Sequence, residues 1–94
     1  MSTSKYAFNK TLKELRFLFC QGETSAATRT FLNRAYPTMK KNNPHTPILM
    51  REAAGTIPKV YARYEFGKEK SQILEGLSDK QIEDAVTSLV KADV

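Results

Sequence analysis

Cys20 is the first residue whose type and position could do chemistry. It is the only cysteine in the chain, and it ends an apolar segment shortly before a predicted helix, whose N-terminus could lower the pKa of its thiol. The segment Cys20-Gln-Gly-Glu lacks the second cysteine of a C-x-x-C motif, and Glu23 opposes a thiolate. We therefore predict a structural, unpaired and buried thiol; a monothiol oxidoreductase using Cys20 is the alternative.

The other residues that could serve in catalysis or metal binding form no recognised set. His45 is the only histidine, and no cysteine or carboxylate stands at ligand spacing from it. The sequence also lacks a P-loop and a G-x-G-x-x-G segment. Glu52 and Glu65 are expected to pair with Arg51 and Arg63 instead of acting as acid and base. We therefore expect no catalytic residues, no metal and no cofactor.

Basic side chains and one tyrosine are the strongest candidates for binding. Residues 1–64 hold eleven Lys and Arg against three acidic residues, whereas residues 65–94 hold four Lys against seven acids. A nucleic-acid binder would more often be basic throughout, so the predicted partner is an acidic protein surface and not nucleic acid. The alternative is a solvated face. The candidate partner-binding set comprises Lys40, Lys41, Arg51, Lys59, Tyr61 and Arg63.

Length and composition limit the domain organisation. Ninety-four residues, 40% of them hydrophobic, suit one compact core, so we expect a single domain over residues 1–94 with a probable N-terminal extension over residues 1–12. One cysteine excludes an intrachain disulfide framework. No apolar run approaches the roughly 20 residues that span a bilayer, so direct membrane insertion is not expected.

The first strand and the first helix would position Cys20. Residues 13–20 alternate as a strand, with Leu15, Phe17 and Phe19 on one face. Thr24 or Ser25 can then cap a helix. Its apolar positions recur every four residues, at Ala27, Phe31, Ala35 and Met39. Because Pro37 removes a hydrogen bond inside this pattern, we expect a kink or a break near Tyr36.

Three further strands and a last helix complete the pattern. Residues 48–53 form a second strand, and residues 59–66 form a third with Val60, Ala62, Tyr64 and Phe66 facing inward. Ile73 and Leu74 are expected in a short edge strand. Ser78 and Gln81 form a capping box for the last helix, whose apolar stripe is Ile82, Ala85, Val86, Leu89 and Val90.

The order β-α-β-β-β-α predicts the fold class. A β-α-β start favours a right-handed crossover between parallel strands, with the later strands added antiparallel. The expectation is an α/β, thioredoxin-like domain with a mixed four-stranded sheet and two helices, in which the redox C-x-x-C is absent. Pro58, just before the third strand, stands where such folds hold a cis-proline, so a cis Ile57–Pro58 bond is a further expectation.

Three segments carry a resemblance to a known family. They are LKELRFLFCQ at residues 12–21, KKNNPHTPILMRE at 40–52 and PKVYARYEFGKE at 58–69. Together they resemble the small thioredoxin-like accessory subunits of mitochondrial NADH:ubiquinone oxidoreductase, respiratory complex I, a domain type shared with certain mitochondrial ribosomal proteins. The resemblance runs from about residue 12 to residue 90.

The resemblance implies a function. It implies a non-catalytic accessory subunit of the respiratory chain, without a cofactor, that supports assembly or stability of the peripheral NADH-oxidising arm. Its place would be the matrix side of the mitochondrial inner membrane, beside the large iron–sulfur subunit. Some family members carry a second cysteine able to pair with the one matching Cys20, but here that position is Ala53. A structural protein of the mitochondrial ribosome is the alternative.

Overall fold

The computed structural model describes residues 8–92. Four strands and two helices alternate in the predicted order, and short 3-10 turns over Glu23–Ser25 and Glu65–Gly67 precede α1 and β4. The elements are β1 (Leu12–Phe19), α1 (Ala26–Asn42), β2 (Ile48–Glu52), β3 (Lys59–Tyr64), β4 (Glu69–Ile73) and α2 (Asp79–Lys91).

The four strands form one mixed sheet in the spatial order β2-β1-β3-β4. β1 runs parallel to β2, where Leu15 pairs with Ile48, and antiparallel to β3, where Leu15 pairs with Ala62. β3 pairs with β4 in antiparallel. The predicted mixed α/β sheet with two helices is therefore confirmed, and its order is compatible with a thioredoxin-like arrangement.

Both helices pack on the same face of the sheet, where they bury the core. The alternating side chains Leu15 and Phe17 of β1 are completely buried, as are Val60 and Ala62 of β3. They form one cluster with buried residues of both helices: Phe31, Leu32, Ala35, Met39, Ile82, Val86 and Val90. The apolar stripes predicted from the sequence thus lie against the sheet, and no helix within residues 8–92 covers the opposite face.

The start of α2 follows the sequence closely. Ser78 Oγ accepts a hydrogen bond from the Gln81 N–H at 3.2 Å, and Gln81 Oε1 accepts one from the Ser78 N–H at 2.9 Å. This reciprocal pair satisfies two backbone donors that the first turn leaves free. Near the C-terminus of α2, the Tyr64 hydroxyl donates a hydrogen bond to the Leu89 carbonyl at 2.6 Å.

α1 differs from its prediction in two ways. It runs unbroken through Pro37, so of the kink or break expected near Tyr36 the break is wrong. The missing proline N–H costs one hydrogen bond, but Phe31, Ala35 and Met39 are buried on both sides of it and hold the helix to the sheet. Ser25 does precede α1, yet its hydroxyl makes no cap bond and accepts from the Cys20 N–H at 3.0 Å instead.

Two predictions around β3 are also wrong. β3 ends at Tyr64, and Phe66 lies in the following turn with 93% of its surface exposed instead of facing inward. The Ile57–Pro58 bond is trans, the isomer that X–Pro bonds favour unless tertiary contacts oppose it. β4 is longer than the two residues expected, and Leu74 lies just beyond it, buried.

The segment before β1 reaches the helices. Phe8 packs against the core cluster, the Phe8 N–H donates to Asn43 Oδ1 at 3.2 Å, and the Asn9 N–H donates to the Val90 carbonyl at 2.8 Å. Residues 1–7 of the predicted extension lie outside the described residues. Its described part, from Phe8 onward, is attached to the domain.

Candidate protein-binding surface

The sheet face turned away from the helices is the candidate site, and we call it the open face. Strand register places four rows of side chains on it. Charged groups alternate with apolar ones along these rows, and the uncovered face leaves them available to a partner. The open face comprises Glu14, Arg16, Leu18, Leu49, Arg51, Lys59, Tyr61, Arg63, Glu69, Ser71 and Ile73.

The structure brings together four of the six residues predicted to bind a partner. Tyr61 and Arg16 are register partners, and Leu18 lies between Arg51 of β2 and Lys59 of β3. Arg63 lies beside Glu14 at the next position along. All four predicted residues of β2 and β3 therefore share the open face.

Lys40 and Lys41 lie elsewhere. They belong to the last turn of α1, and that helix covers the other face of the sheet. Lys40 Nζ donates to the Thr46 carbonyl at 3.0 Å, which closes the loop before β2. The structure thus separates these two lysines from the open face, and any contact they make with a partner belongs to a different surface.

A carboxylate organises the centre of the open face. Glu14 Oε1 accepts from Arg63 Nε at 3.0 Å and from Arg16 Nη2 at 3.3 Å. Arg16 also lies over the Tyr61 ring, with its guanidinium carbon 5.8 Å from the ring centroid. The hydrogen bond from Arg63, with the one from Arg16, outweighs burial and holds the pKa of Glu14 below its ordinary value. These contacts fix the orientation of both arginines.

The expected pairing of Arg51 and Arg63 with Glu52 and Glu65 is wrong. Arg63 pairs with Glu14, whereas Glu65 pairs with Lys13 at 3.6 Å and Glu52 accepts a hydrogen bond from Gln21. The cause is strand geometry, since neighbours along a strand point to opposite faces. A cross-strand partner is therefore closer than the adjacent residue in the chain.

Replacing Glu14 with glutamine is expected to lower stability slightly at neutral pH. Because the folded-state pKa is depressed, the ion pairs stabilise the fold above the unfolded-state pKa and are lost as pH falls through the folded-state value. Arg63 is about half exposed, so the effect should stay below about 1 kcal/mol. Urea denaturation at pH 7 and at about pH 3 checks this: the two chains should differ at pH 7 and differ less in acid. A constant difference would contradict the assignment.

Arg51 and Lys59 carry the charge available to a partner. Within residues 8–92, neither side chain makes an ion pair. The open face as a whole carries four basic side chains and two carboxylates, so its net charge is positive. Leu49 and Ile73 lie next to these charges with 45% and 53% of their surfaces exposed. Exposed apolar groups among unpaired cations suit a protein partner with an acidic rim.

Cys20 directly follows β1 and is buried, with 7% of the residue exposed. Its sulfur lies 3.4 Å from Ser25 Oγ and 3.6 Å from Thr24 Oγ1, and it accepts the Gly22 N–H at 3.4 Å. These hydrogen bonds, that of Ser25 foremost, lower the pKa of Cys20 although burial opposes them. The chain has no second thiol to pair with it.

Replacing Cys20 with alanine tests the predicted structural role. The change removes a packed sulfur and should cost on the order of 1 kcal/mol of unfolding free energy, with binding to partners unchanged. Urea denaturation measures the cost. Thiol labelling gives the second readout: burial should make native Cys20 react much more slowly than the unfolded chain. Equal labelling rates, or lost partner binding at unchanged stability, would contradict a structural role.

Neither a metal-binding cluster nor a membrane-spanning helix occurs in the described part of the chain. Residues 8–92 contain no group of three or more His, Cys, Asp or Glu side chains that could hold a metal ion. In the same range no helix has the length and apolar character needed to cross a bilayer.

Sequence reasoning left part of the open face out of the binding set. Arg16, Leu18, Leu49 and Ile73 all lie on it, but only Arg16 and Leu18 were on a recognisable outer strand face. Alternation with the buried Leu15 and Phe17 was the signal that could have included these two. For Leu49 and Ile73 no such signal exists, because β2 and β4 are exposed on both faces.

Fold and site together define a small α/β binding domain, built on a sheet with one face covered and the other open. The model of the mitochondrial ribosomal protein L51 / S25 / CI-B8 domain matches residues 28–79, more than half of the chain. The protein therefore belongs to the L51/S25/CI-B8 family.

Full-length relatives support the same assignment. The chain is 73% identical over 90 residues to the NADH-ubiquinone oxidoreductase 10.5 kDa subunit of Neurospora crassa, covering 95% of this chain and 96% of the relative. It is 45% identical to the NADH dehydrogenase [ubiquinone] 1 alpha subcomplex subunit 2 of Arabidopsis thaliana, over 92% and 90% of the two chains. The Mus musculus protein of that name is 38% identical, over 84% and 81%.

Proposed function

We propose that the chain is an accessory subunit of mitochondrial NADH:ubiquinone oxidoreductase that does no catalysis itself. The observation that carries this proposal is the 73% identity, over nearly the full length of both chains, to a subunit of that enzyme in Neurospora crassa. This similarity covers 95% of the chain and 96% of the relative. The relatives in the plant and the mouse bear subunit names of the same enzyme.

The proposed role is to support the assembly or stability of the peripheral, NADH-oxidising arm. A domain that binds the assembled arm, and not its separate parts, shifts the equilibrium toward assembly by its binding free energy. The open face supplies a suitable surface, because its unpaired cations Arg51 and Lys59 and its exposed Leu49 and Ile73 can contact an acidic neighbour. Lys40 and Lys41 would add a second contact at the end of α1.

The finer placement rests on the family resemblance. We place the subunit on the matrix side of the mitochondrial inner membrane, beside the large iron–sulfur subunit, with no cofactor of its own. A structural protein of the mitochondrial ribosome is less favoured, because all three relatives are named as oxidoreductase subunits.

Co-migration tests the proposal directly. An epitope-tagged chain, produced from its own locus, should run with NADH dehydrogenase activity on native gels of solubilised mitochondria. On sucrose gradients it should sediment with that activity and separately from the ribosomal subunits. Sedimentation with a ribosomal subunit, and absence from the oxidoreductase, would overturn the proposed function.

A further inference from the structure

Phe66 occupies a position that the fold of this chain does not explain. It lies in the turn between β3 and β4 with 93% of its surface exposed. Its backbone angles are φ 64° and ψ 27°, and it is the only non-glycine residue among residues 8–92 with a positive φ. A bulky side chain rarely adopts this left-handed conformation.

The turn around Phe66 selects against a phenylalanine. Gly67 follows with φ 74°, and the Lys68 N–H donates to the Glu65 carbonyl at 3.4 Å. Two central residues with positive φ form the type I′ hairpin turn, where Asn-Gly and Gly-Gly are the favoured pairs. Phenylalanine at the first central position is therefore strained, and its exposed ring adds nothing to the core.

The same turn is held firmly in place. The Tyr64 N–H donates to the Lys68 carbonyl at 2.7 Å, and the Glu65 N–H donates to the Thr11 carbonyl at 2.9 Å. Lys13 pairs with Glu65 on the flank. An aromatic ring presented on a fixed backbone loses little conformational freedom when it binds, which favours affinity.

We propose that Phe66 is an anchor that inserts its ring into an apolar pocket on another protein subunit of the complex. This inference rests on the proposed function and names one contact within it. Burial of the ring in such a pocket would offset the free-energy cost of the strained backbone and of the exposed apolar surface. Aromatic residues are also enriched at protein interfaces. The charges beside the turn, Glu65 and Glu69 against Lys68 and Lys70, sum to zero and so give no net attraction to an anionic membrane surface.

Replacing Phe66 with asparagine separates anchoring from folding, because the two effects have opposite signs. Asparagine suits the turn, so the thermal midpoint of the full-length chain should rise by about 5 °C. Incorporation into the complex should fall on the order of tenfold or more, because the ring is lost. The matched control is Phe66→Tyr, which keeps both the ring and the backbone strain. It should leave the midpoint unchanged and retain incorporation.

Incorporation is measured by expressing each tagged variant in cells that lack the chain and quantifying the tag in the oxidoreductase band. If the wild-type chain is absent from that band, the proposed function fails and the inference with it. If the wild-type and asparagine chains are equally abundant there, the inference alone is overturned. It is also overturned if incorporation falls together with the thermal midpoint, since folding would then be the cause.

A sedimentation assay with phosphatidylcholine and phosphatidylserine vesicles covers the lipid alternative. Neither the wild-type nor the asparagine chain should bind these vesicles. Binding that requires the Phe66 ring would overturn the protein pocket in favour of a membrane surface.

Discussion

Replacing both Arg51 and Lys59 with glutamate is expected to reduce incorporation of the chain into its complex on the order of tenfold or more. These two side chains lie on the open face on either side of Leu18, and within residues 8–92 neither has an ion-pair partner to lose. The double reversal would place carboxylates opposite an acidic partner, and such like-charge contacts cost several kcal/mol. The thermal midpoint should change little.

The matched control reverses two exposed lysines that lie off the open face. Lys70 stands on the helix side of β4, beside Ala62, and Lys80 lies in the first turn of α2. The variant Lys70→Glu with Lys80→Glu changes the net charge by the same amount as the test variant. If both double variants lose incorporation equally, total charge is the cause. If neither loses it, the open face is only solvated.

Arg63 is less suited to this experiment although the sequence favoured it equally. Its Nε donates to Glu14, whose other partner is Arg16. Reversing Arg63 would place two carboxylates side by side at the centre of the sheet, so a loss of incorporation could reflect a distorted face. Arg51 and Lys59 avoid this ambiguity.

The elements that local physics determines were predictable from the sequence. Alternation in β1 and β3 identified Leu15, Phe17, Val60 and Ala62 as buried, and the structure confirms it. The capping box at Ser78 located the start of α2 to the residue. Alternation is a pattern within one strand, and a capping box lies within one helix turn. Neither depends on how the strands pair or how the helices pack.

The failures occurred where tertiary contacts or turn geometry decide the outcome. Pro37 predicted a kink or a break, and the break did not occur, because the burial of Phe31 and Met39 keeps α1 continuous. Phe66 is apolar and two residues after Tyr64, so the alternation predicted that β3 continues to Phe66. The chain nevertheless turns at Tyr64, because β4 pairs back from Glu69 beside Arg63.

The candidate site was predictable only in part. Period-two alternation places Lys59, Tyr61 and Arg63 on one face of a strand, and this needs no knowledge of the fold. Joining Arg51 to them requires the registers of β2 and β3 on β1, which the sequence does not specify. Lys40 and Lys41 were grouped with them by residue type and charge density alone, and the structure places them at the end of a helix on the other side.

Deleting the chain is expected to lower the amount of assembled mitochondrial NADH:ubiquinone oxidoreductase several-fold. If the subunit binds only the assembled peripheral arm, its binding free energy stabilises the assembled arm relative to its separate parts, and deletion removes that stabilisation. Partly assembled arms would then dissociate or be degraded, because a loss of even 1–2 kcal/mol can change protein abundance several-fold in cells.

The proposed mechanism also predicts what should survive the deletion. A subunit that does no catalysis leaves the catalytic groups of the remaining complexes intact, so NADH oxidation per assembled complex should change much less than the amount of complex. Native gels with in-gel activity staining, normalised to a core subunit, measure both quantities. Complementation with the wild-type chain should restore the band, whereas the Arg51→Glu, Lys59→Glu chain should restore little of it.

A normal amount of active oxidoreductase in the deletion, together with defective mitochondrial translation, would refute the proposed function and favour the ribosomal one. A normal amount of complex with a large loss of activity per complex would instead place the chain in the enzyme's chemistry and contradict the proposed function.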